Sequence, residues 1–219
     1  MALEAITMKN FNIIPADENS FEFRIDADST VEILESDIGC HAEVETDRPE
    51  LFNITADEEH FVIERIDQPS PDDFLGAILS LIRNRNISGL KKFSQERASV
   101  RVRIFTAAGR INLNAVNSTV LVRRNLELLR LKSANLNFSN EGLIRELELK
   151  ANNAVIELNL GREVSDWQIR SNNSGIRLHT NGFGGTIRSS FCGNDCSRSF
   201  GSGDGLVSIR SNNGNLIID

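Results

Sequence analysis

The chain has 219 residues, 40% of them apolar and 25% charged, with a formal net charge of −7. That length supports one large or two small domains with a real core, and it excludes a disordered tail or a mini-protein held by staples. Twelve Phe, one Trp and no Tyr leave no Tyr-rich recognition surface, and 31 acidic against 24 basic residues argue against a nucleic-acid partner.

The opening stretch, MALEAITMKNFNIIPADENS, has no apolar run of the kind that follows a positive start in a secretory signal. No segment approaches the roughly 18 uninterrupted apolar residues of a membrane helix. Three cysteines, Cys40, Cys192 and Cys196, do not make a disulfide framework. A reducing cytoplasm is the expected compartment, with the cell surface or envelope expected instead if a removable leader precedes this sequence.

Five short strands come next in the chain: Phe21 to Ile25, Thr30 to Leu34, His41 to Glu45, Leu51 to Ile54 and His60 to Glu64. Apolar and acidic residues largely alternate in them, which gives each strand one wet face. Gln68-Pro-Ser-Pro-Asp-Asp73 then interrupts. Ser70 reads as an N-cap, Pro71 as a first-turn residue and Asp72-Asp73 as a favourable charge at a helix start. Phe74, Leu75, Ile78, Leu79 and Ile82 follow at helical spacing, so residues 71–93 are expected to form a helical insertion covering an end or side of a β fold. Ser99 to Ile104 resumes the strands. Residues 1–69 carry 18 acidic and four basic side chains, residues 83–130 two acidic and 11 basic. Two such segments either lie side by side and neutralise locally or offer an anion-binding face or a head-to-tail contact.

From residue 113 onward one phrase recurs: Leu147-Glu-Leu-Lys-Ala-Asn-Asn153, Trp167-Gln-Ile-Arg-Ser-Asn-Asn173 and Val207-Ser-Ile-Arg-Ser-Asn-Asn213. Its anchors are Leu113, Leu131, Leu149, Ile169, Ile187 and Ile209, spaced by 18, 18, 20, 18 and 22 residues. Two places after each anchor stands a small residue: Ala115, Ser133, Ala151, Ser171, Ser189 and Ser211. Four places after stand Asn117, Asn135, Asn153, Asn173, Phe191 and Asn213. Asn tolerates left-handed backbone at a bend, and stacked amides can hydrogen-bond along a stack. Val120, Phe138, Ile156, Ile176 and Leu216 form a further apolar column, which Asn194 breaks.

A repeat of 18–22 residues is too short for a strand-helix crossover of roughly 30. It predicts an all-β fold, a single-stranded parallel β-helix or solenoid of about seven to nine turns, forming one domain over 1–219 with the helical insertion inside it.

The run Ser29-Thr-Val-Glu-Ile33, then Ser36-Asp-Ile-Gly39, Ala42-Glu-Val-Glu45 and Phe61-Val-Ile-Glu64, followed by Ser/Asn/Gly-rich rungs, resembles the bacterial "putative adhesin" domains of unknown function. The resemblance covers most of the chain outside the insertion. It implies a right-handed parallel β-helix, a cell-envelope or surface setting and a binding role, and it carries no catalytic residues across.

One place after each anchor come Asn114, Lys132, Lys150, Arg170, Arg188 and Arg210 on the outward face. Stacked at about 4.8 Å, unit charges repel by roughly 0.9 kcal/mol in water. Either the heads diverge, with Glu148 and Glu157 near enough to neutralise them, or an anionic polymer joins them, and Lys132, Lys150, Arg170, Arg188 and Arg210 are the candidate ligand-binding residues. The segment Ser190 to Gly205 lengthens the last repeat and breaks two columns, as an inserted functional loop would. Cys192 and Cys196 could pair, or join His179 around zinc, but one C-x3-C lacks a second ligand pair, so no metal and no cofactor are expected. Gly201-Ser-Gly-Asp-Gly205 precedes no helix and reads as a turn rather than a phosphate loop.

Lyases and hydrolases on β-helices need paired carboxylates or calcium ligands on neighbouring outward positions, and residues 131–219 have none in adjacent columns. The expected function is a non-catalytic, adhesin-like binding or scaffold protein presenting a β-ladder surface to an anionic polymer or a protein. A carbohydrate-active β-helix enzyme and a self-assembling homo-oligomeric module are the alternatives.

Overall fold

A computed structural model describes residues 7–13, 20–37, 39–57, 60–66 and 98–219. The helix expected over 71–93 lies outside the described residues. Among those described, the fold is all β, with one 3-10 turn at Pro49–Leu51. The N-terminal strands are β1 (Thr7–Ile13), β2 (Ser20–Glu35), β3 (Cys40–Thr46), β4 (Phe52–Ala56), β5 (His60–Arg65) and β6 (Ser99–Thr106). The repeat region supplies β7 (Arg110–Val122), β8 (Leu126–Asn140), β9 (Ile144–Asn159), β10 (Asp166–His179), β11 (Gly185–Phe191), β12 (Asn194–Phe200) and β13 (Gly205–Ile218).

All thirteen strands belong to one sheet, whose main path runs β1-β3-β6-β2-β7-β8-β9-β10-β13-β11-β12. The sheet is mixed but mostly parallel. The pairs β1/β3, β3/β6, β4/β5 and β11/β12 are antiparallel, so the expectation of parallel pairing throughout fails at both ends. Two of the expected short strands, Phe21 to Ile25 and Thr30 to Leu34, are halves of the continuous β2. Its ladder with β7 shifts register between Ile25 and Asp28.

In the middle of the sheet the repeat is the register. Leu113 pairs with Leu131, Leu131 with Leu149, Leu149 with Ile169 and Ile169 with Ile209. All five are no more than 1% exposed, and Val120, Phe138, Ile156 and Ile176 stack as a second buried column. Each buried apolar side chain contributes on the order of 1.5–3 kcal/mol, which makes these columns the main cohesive element. Trp167, in register with Leu147 and Val207, is fully buried, and its indole N–H donates to the Ile144 carbonyl at 2.9 Å, so the core's largest side chain leaves no unsatisfied polar group. The small column is buried at Ala115, Ser133, Ala151 and Ser211. Each ladder skips one position directly after it, at Val116, Ala134, Asn152 and Asn172.

The Asn column does not take the left-handed backbone expected of it. Cys192 is the one non-glycine residue with positive φ among those described. The amides do bond to one another along the stack, as expected. Asn213 Nδ2 donates to Asn173 Oδ1 at 3.1 Å, Asn173 to Asn153 at 2.9 Å, Asn153 to Asn135 at 2.7 Å and Asn135 to Asn117 at 2.6 Å. Asn117 donates the last bond, 2.7 Å, to the Asp28 carboxylate. A carboxylate can only accept, so Asp28 fixes the direction of every amide behind it.

The acidic and basic segments neutralise locally where they meet. Glu43 of β3 contacts Arg103 of β6 at 3.3 Å, and Glu45 contacts Arg101 at 4.0 Å.

Candidate functional site

Strand alternation sends the residue after each core anchor outward, and the register decides which of these become neighbours. Asn114, Lys132, Lys150, Arg170 and Arg210 fall in one line across β7, β8, β9, β10 and β13. The four cations are exposed. Lys132, Lys150 and Arg170 border a groove of about 610 Å³ that is also lined by small residues such as Ser133, Ala134, Ala151 and Ser171 and by Asn152 and Asn172.

Arg188 does not stand between Arg170 and Arg210 as its place in the sequence implied. At Cys192-Gly193, with φ of 51° and 80°, the chain makes a tight hairpin turn. β11 therefore returns antiparallel as β12 instead of leading into a further parallel strand. β13 then inserts between β10 and β11, so Arg210 stacks directly on Arg170. β11 pairs with β13 two residues out of step with the repeat: Ile187 faces Val207, Arg188 faces Ser208 and Ser190 faces Arg210. The broken columns at Phe191 and Asn194 carried this signal in the sequence, since those two residues flank the turn.

Electrostatics set this row apart from the rest of the molecule. Stacking elsewhere brings opposite charges together: Arg110 with Glu127 at 3.1 Å, Arg123 with Glu141 at 3.7 Å and Arg130 with Glu148 at 3.2 Å. The bond from Arg110 holds the Glu127 carboxyl below its ordinary pKa. Arg24, which heads the same row beside Asn114, is bound to Asp26 at 2.6 Å, and that bond raises the Arg24 pKa. Glu148 and Glu157, the acids that could have neutralised the row, are held elsewhere by Arg130 and His179. Among the described residues, Lys132, Lys150, Arg170 and Arg210 form no ion pair.

The cysteines are three free thiols. Cys192 donates to the Asn212 carbonyl at 2.7 Å, while His179 contacts Glu157 and Asp219. Among the described residues no three His, Cys, Asp or Glu side chains gather into a metal-binding group. Cys40 is different in kind: burial pushes its thiol pKa up to about 11, against the opposing effects of a bond with Thr106 and the nearby Arg124 charge. No helix among the described residues is long and apolar enough to cross a membrane.

No family model matches the chain, and no curated protein matches it. Solved structures of bacterial proteins do, and they repeat the resemblance read from the sequence. A "putative cell adhesion protein" from Clostridium sporogenes matches over 98% of this chain and 99% of its own, at 9% identity and a TM-score of 0.45. A "putative adhesin" from Bacteroides fragilis covers 99% and 98%, at 8% identity and a TM-score of 0.39. Another from Parabacteroides merdae covers 97% of this chain and 77% of its own, at 11% identity and a TM-score of 0.33. Likeness at this level carries no argument about ligands, so the functional reading rests on this chain's own residues.

Proposed function

We propose that the chain is a non-catalytic, adhesin-like binding protein, one coiled, mostly parallel domain whose cationic row takes an anionic polymer laid across the strands. The observation that carries the reading is the line Lys132, Lys150, Arg170 and Arg210, four like charges in register with no acidic partner. The repulsion among them is relieved by an anion whose charges recur at about the rung spacing of 4.8 Å. The small residues lining the groove leave room for a chain of sugar rings, and the Asn152 and Asn172 amides there supply donors and acceptors for hydroxyl groups.

Connection lengths support the coiled form. β7 ends at Val122 and β8 begins at Leu126, a step of four residues that reaches at most about 14 Å. Drawn straight, a strand of this length would span roughly 40 Å. A connection this brief between parallel strands in register favours strands that double back on themselves, and the skipped ladder positions at Val116, Ala134 and Asn152 are where our reading puts the bend.

Binding of the full chain to a sulfated or phosphorylated glycan at low and high salt tests the function. The affinity is expected to fall as salt rises, and to fall at least tenfold in Lys132→Ala/Lys150→Ala/Arg170→Ala. Binding that ignores salt, or that survives in the triple variant, removes the row as the site.

A further inference from the structure

The cationic row ends in a second depression of about 760 Å³, where β10, β13, β11 and β12 meet. The out-of-step pairing of β11 governs its chemistry. Arg188 faces Ser208, and Ser190 faces Arg210, so Arg188 lies diagonally across from Arg210 while Arg170 flanks Arg210 on the opposite side. Three guanidiniums from three strands thus border one depression instead of following one another in a line. None of the three forms an ion pair among the described residues, and the Ser190 and Ser208 hydroxyls are engaged by no other described side chain. Past Ser190, the next residue in line is Asp195 of β12, a carboxylate standing where a further rung would place another cation.

We propose that this arginine pocket binds a tetrahedral oxyanion monoester, phosphate or sulfate, at the end of the anionic chain or on a lone sugar. The inference rests on the reading of the row as an anion-binding face and names the group that the face terminates on. A guanidinium offers two parallel N–H donors in a fixed fork, which suits a pair of oxygens on one phosphorus or sulfur. A tetrahedral ester has three non-bridging oxygens and can be approached from three sides, as these arginines are arranged. A planar carboxylate has two oxygens and satisfies one fork. The two hydroxyls donate to the remaining lone pairs. Asp195, which lines the same depression on its β12 side, repels negative charge beyond the bound ester, so the attraction of the row ends at Arg210 and the pocket reads an end rather than a middle.

Isothermal titration of the full chain with glucose 6-phosphate, glucose 6-sulfate and glucuronate separates the ligand chemistries. Both monoesters are expected to bind at least tenfold tighter than glucuronate. Arg188→Ala should weaken them about tenfold and Arg188→Lys should recover only part of the loss, because the charge returns without the fork. Arg130→Ala, which removes a guanidinium paired with Glu148 and bordering neither depression, should leave monoester binding within about twofold. The phosphate ester gains its second charge near pH 6. Its affinity should therefore rise between pH 5 and 7.5 while that of the sulfate ester stays level. Arg188 lies on an exposed strand face, and an unchanged thermal midpoint confirms that its variants are folded.

Equal binding of glucuronate and the monoesters, or full monoester binding by folded Arg188→Ala, overturns the proposal. The two readings fail separately. A polymer that does not bind beside a monoester that does removes the extended row and keeps the pocket. A polymer lost in the triple variant beside silent monoesters removes the pocket and keeps the row.

Discussion

Replacing Asn153 by Ala tests whether the amide ladder holds the rungs together. The Asn153 side chain donates to Asn135 at 2.7 Å and accepts from Asn173 at 2.9 Å, so the truncation removes two hydrogen bonds. A net bond is worth about 0.5–1.5 kcal/mol, and exposure puts these at the low end, so the cost should be on the order of 1–2 kcal/mol. Asn213 stands at the end of the ladder. It donates one amide bond, to Asn173, and receives only a 3.8 Å thiol contact from Cys192, so Asn213→Ala should cost about half as much. Asn117 combines an amide bond with a charge-assisted one to Asp28, and Asn117→Ala should cost the most, about 2–3 kcal/mol. Urea unfolding followed by circular dichroism, compared at a common slope, gives the three values. The double variant Asn135→Ala/Asn153→Ala should lose less than the sum of its singles, because they share a bond. Equal costs at Asn117, Asn153 and Asn213 would refute the ladder account, and would assign the effect of each Asn to its own backbone rather than to its neighbours.

The buried Cys40 thiol makes stability depend on pH in the alkaline range. Its folded-state pKa, about 11, lies above the ordinary 9.0, so the thiol's contribution is complete below about pH 9 and is lost as pH rises toward 11. Two pKa units correspond to an order of 2–3 kcal/mol, and Cys40→Ala should flatten this part of the thermal midpoint profile; parallel profiles would exclude the thiol as its source. A thiol reagent should titrate exposed Cys192 and Cys196 in the folded chain and reach Cys40 only on unfolding; three reactive thiols at once would contradict the burial. Leu149→Ala opens a cavity between Leu131 and Ile169, at a side chain with no exposed surface, and should cost about 2–5 kcal/mol in urea unfolding. A loss below 1 kcal/mol would mean that the column collapses around the gap.

The middle of the sheet was legible because one spacing fixes every column at once. Leu131, Leu149 and Ile169 stack as their separations of 18 and 20 residues require, and Lys132, Lys150 and Arg170 follow by alternation. The pairing of Ile187 was not legible by the same logic. Counting residues assumes that the repeats pair in chain order, and the two-residue turn at Cys192-Gly193 reverses the chain before the repeat is complete. Type I′ hairpin turns favour Asn-Gly or Asp-Gly, and Cys-Gly is a weak signal for one. Of the two expectations for the Asn column, the bonded amides hold and the left-handed backbone does not. A preference of the single residue for left-handed backbone pointed to bends, whereas the collective gain of bonded amides operates in extended strands, and only neighbours in register bring it out.

The same register that rewards identical neighbours in the core penalises them outside it. Stacking Leu on Leu buries apolar surface, and stacking Asn on Asn forms a bond, but stacking Lys on Lys brings like charges within about 5 Å. The chain handles this cost well elsewhere. Arg130 stacks on Glu148, Arg110 reaches Glu127, and Arg24 is closed off by Asp26. A single acidic residue at position 150 would have done the same for the row, as Glu148 does for Arg130 on the neighbouring line. Four successive strands without such a partner leave this repulsion in place, and an anion bound along Lys132, Lys150, Arg170 and Arg210 would relieve it. Stabilisation of the folded chain by a bound polyanion should accordingly grow with the number of rungs the polyanion spans, and should stop growing at Arg210, where Asp195 closes the line.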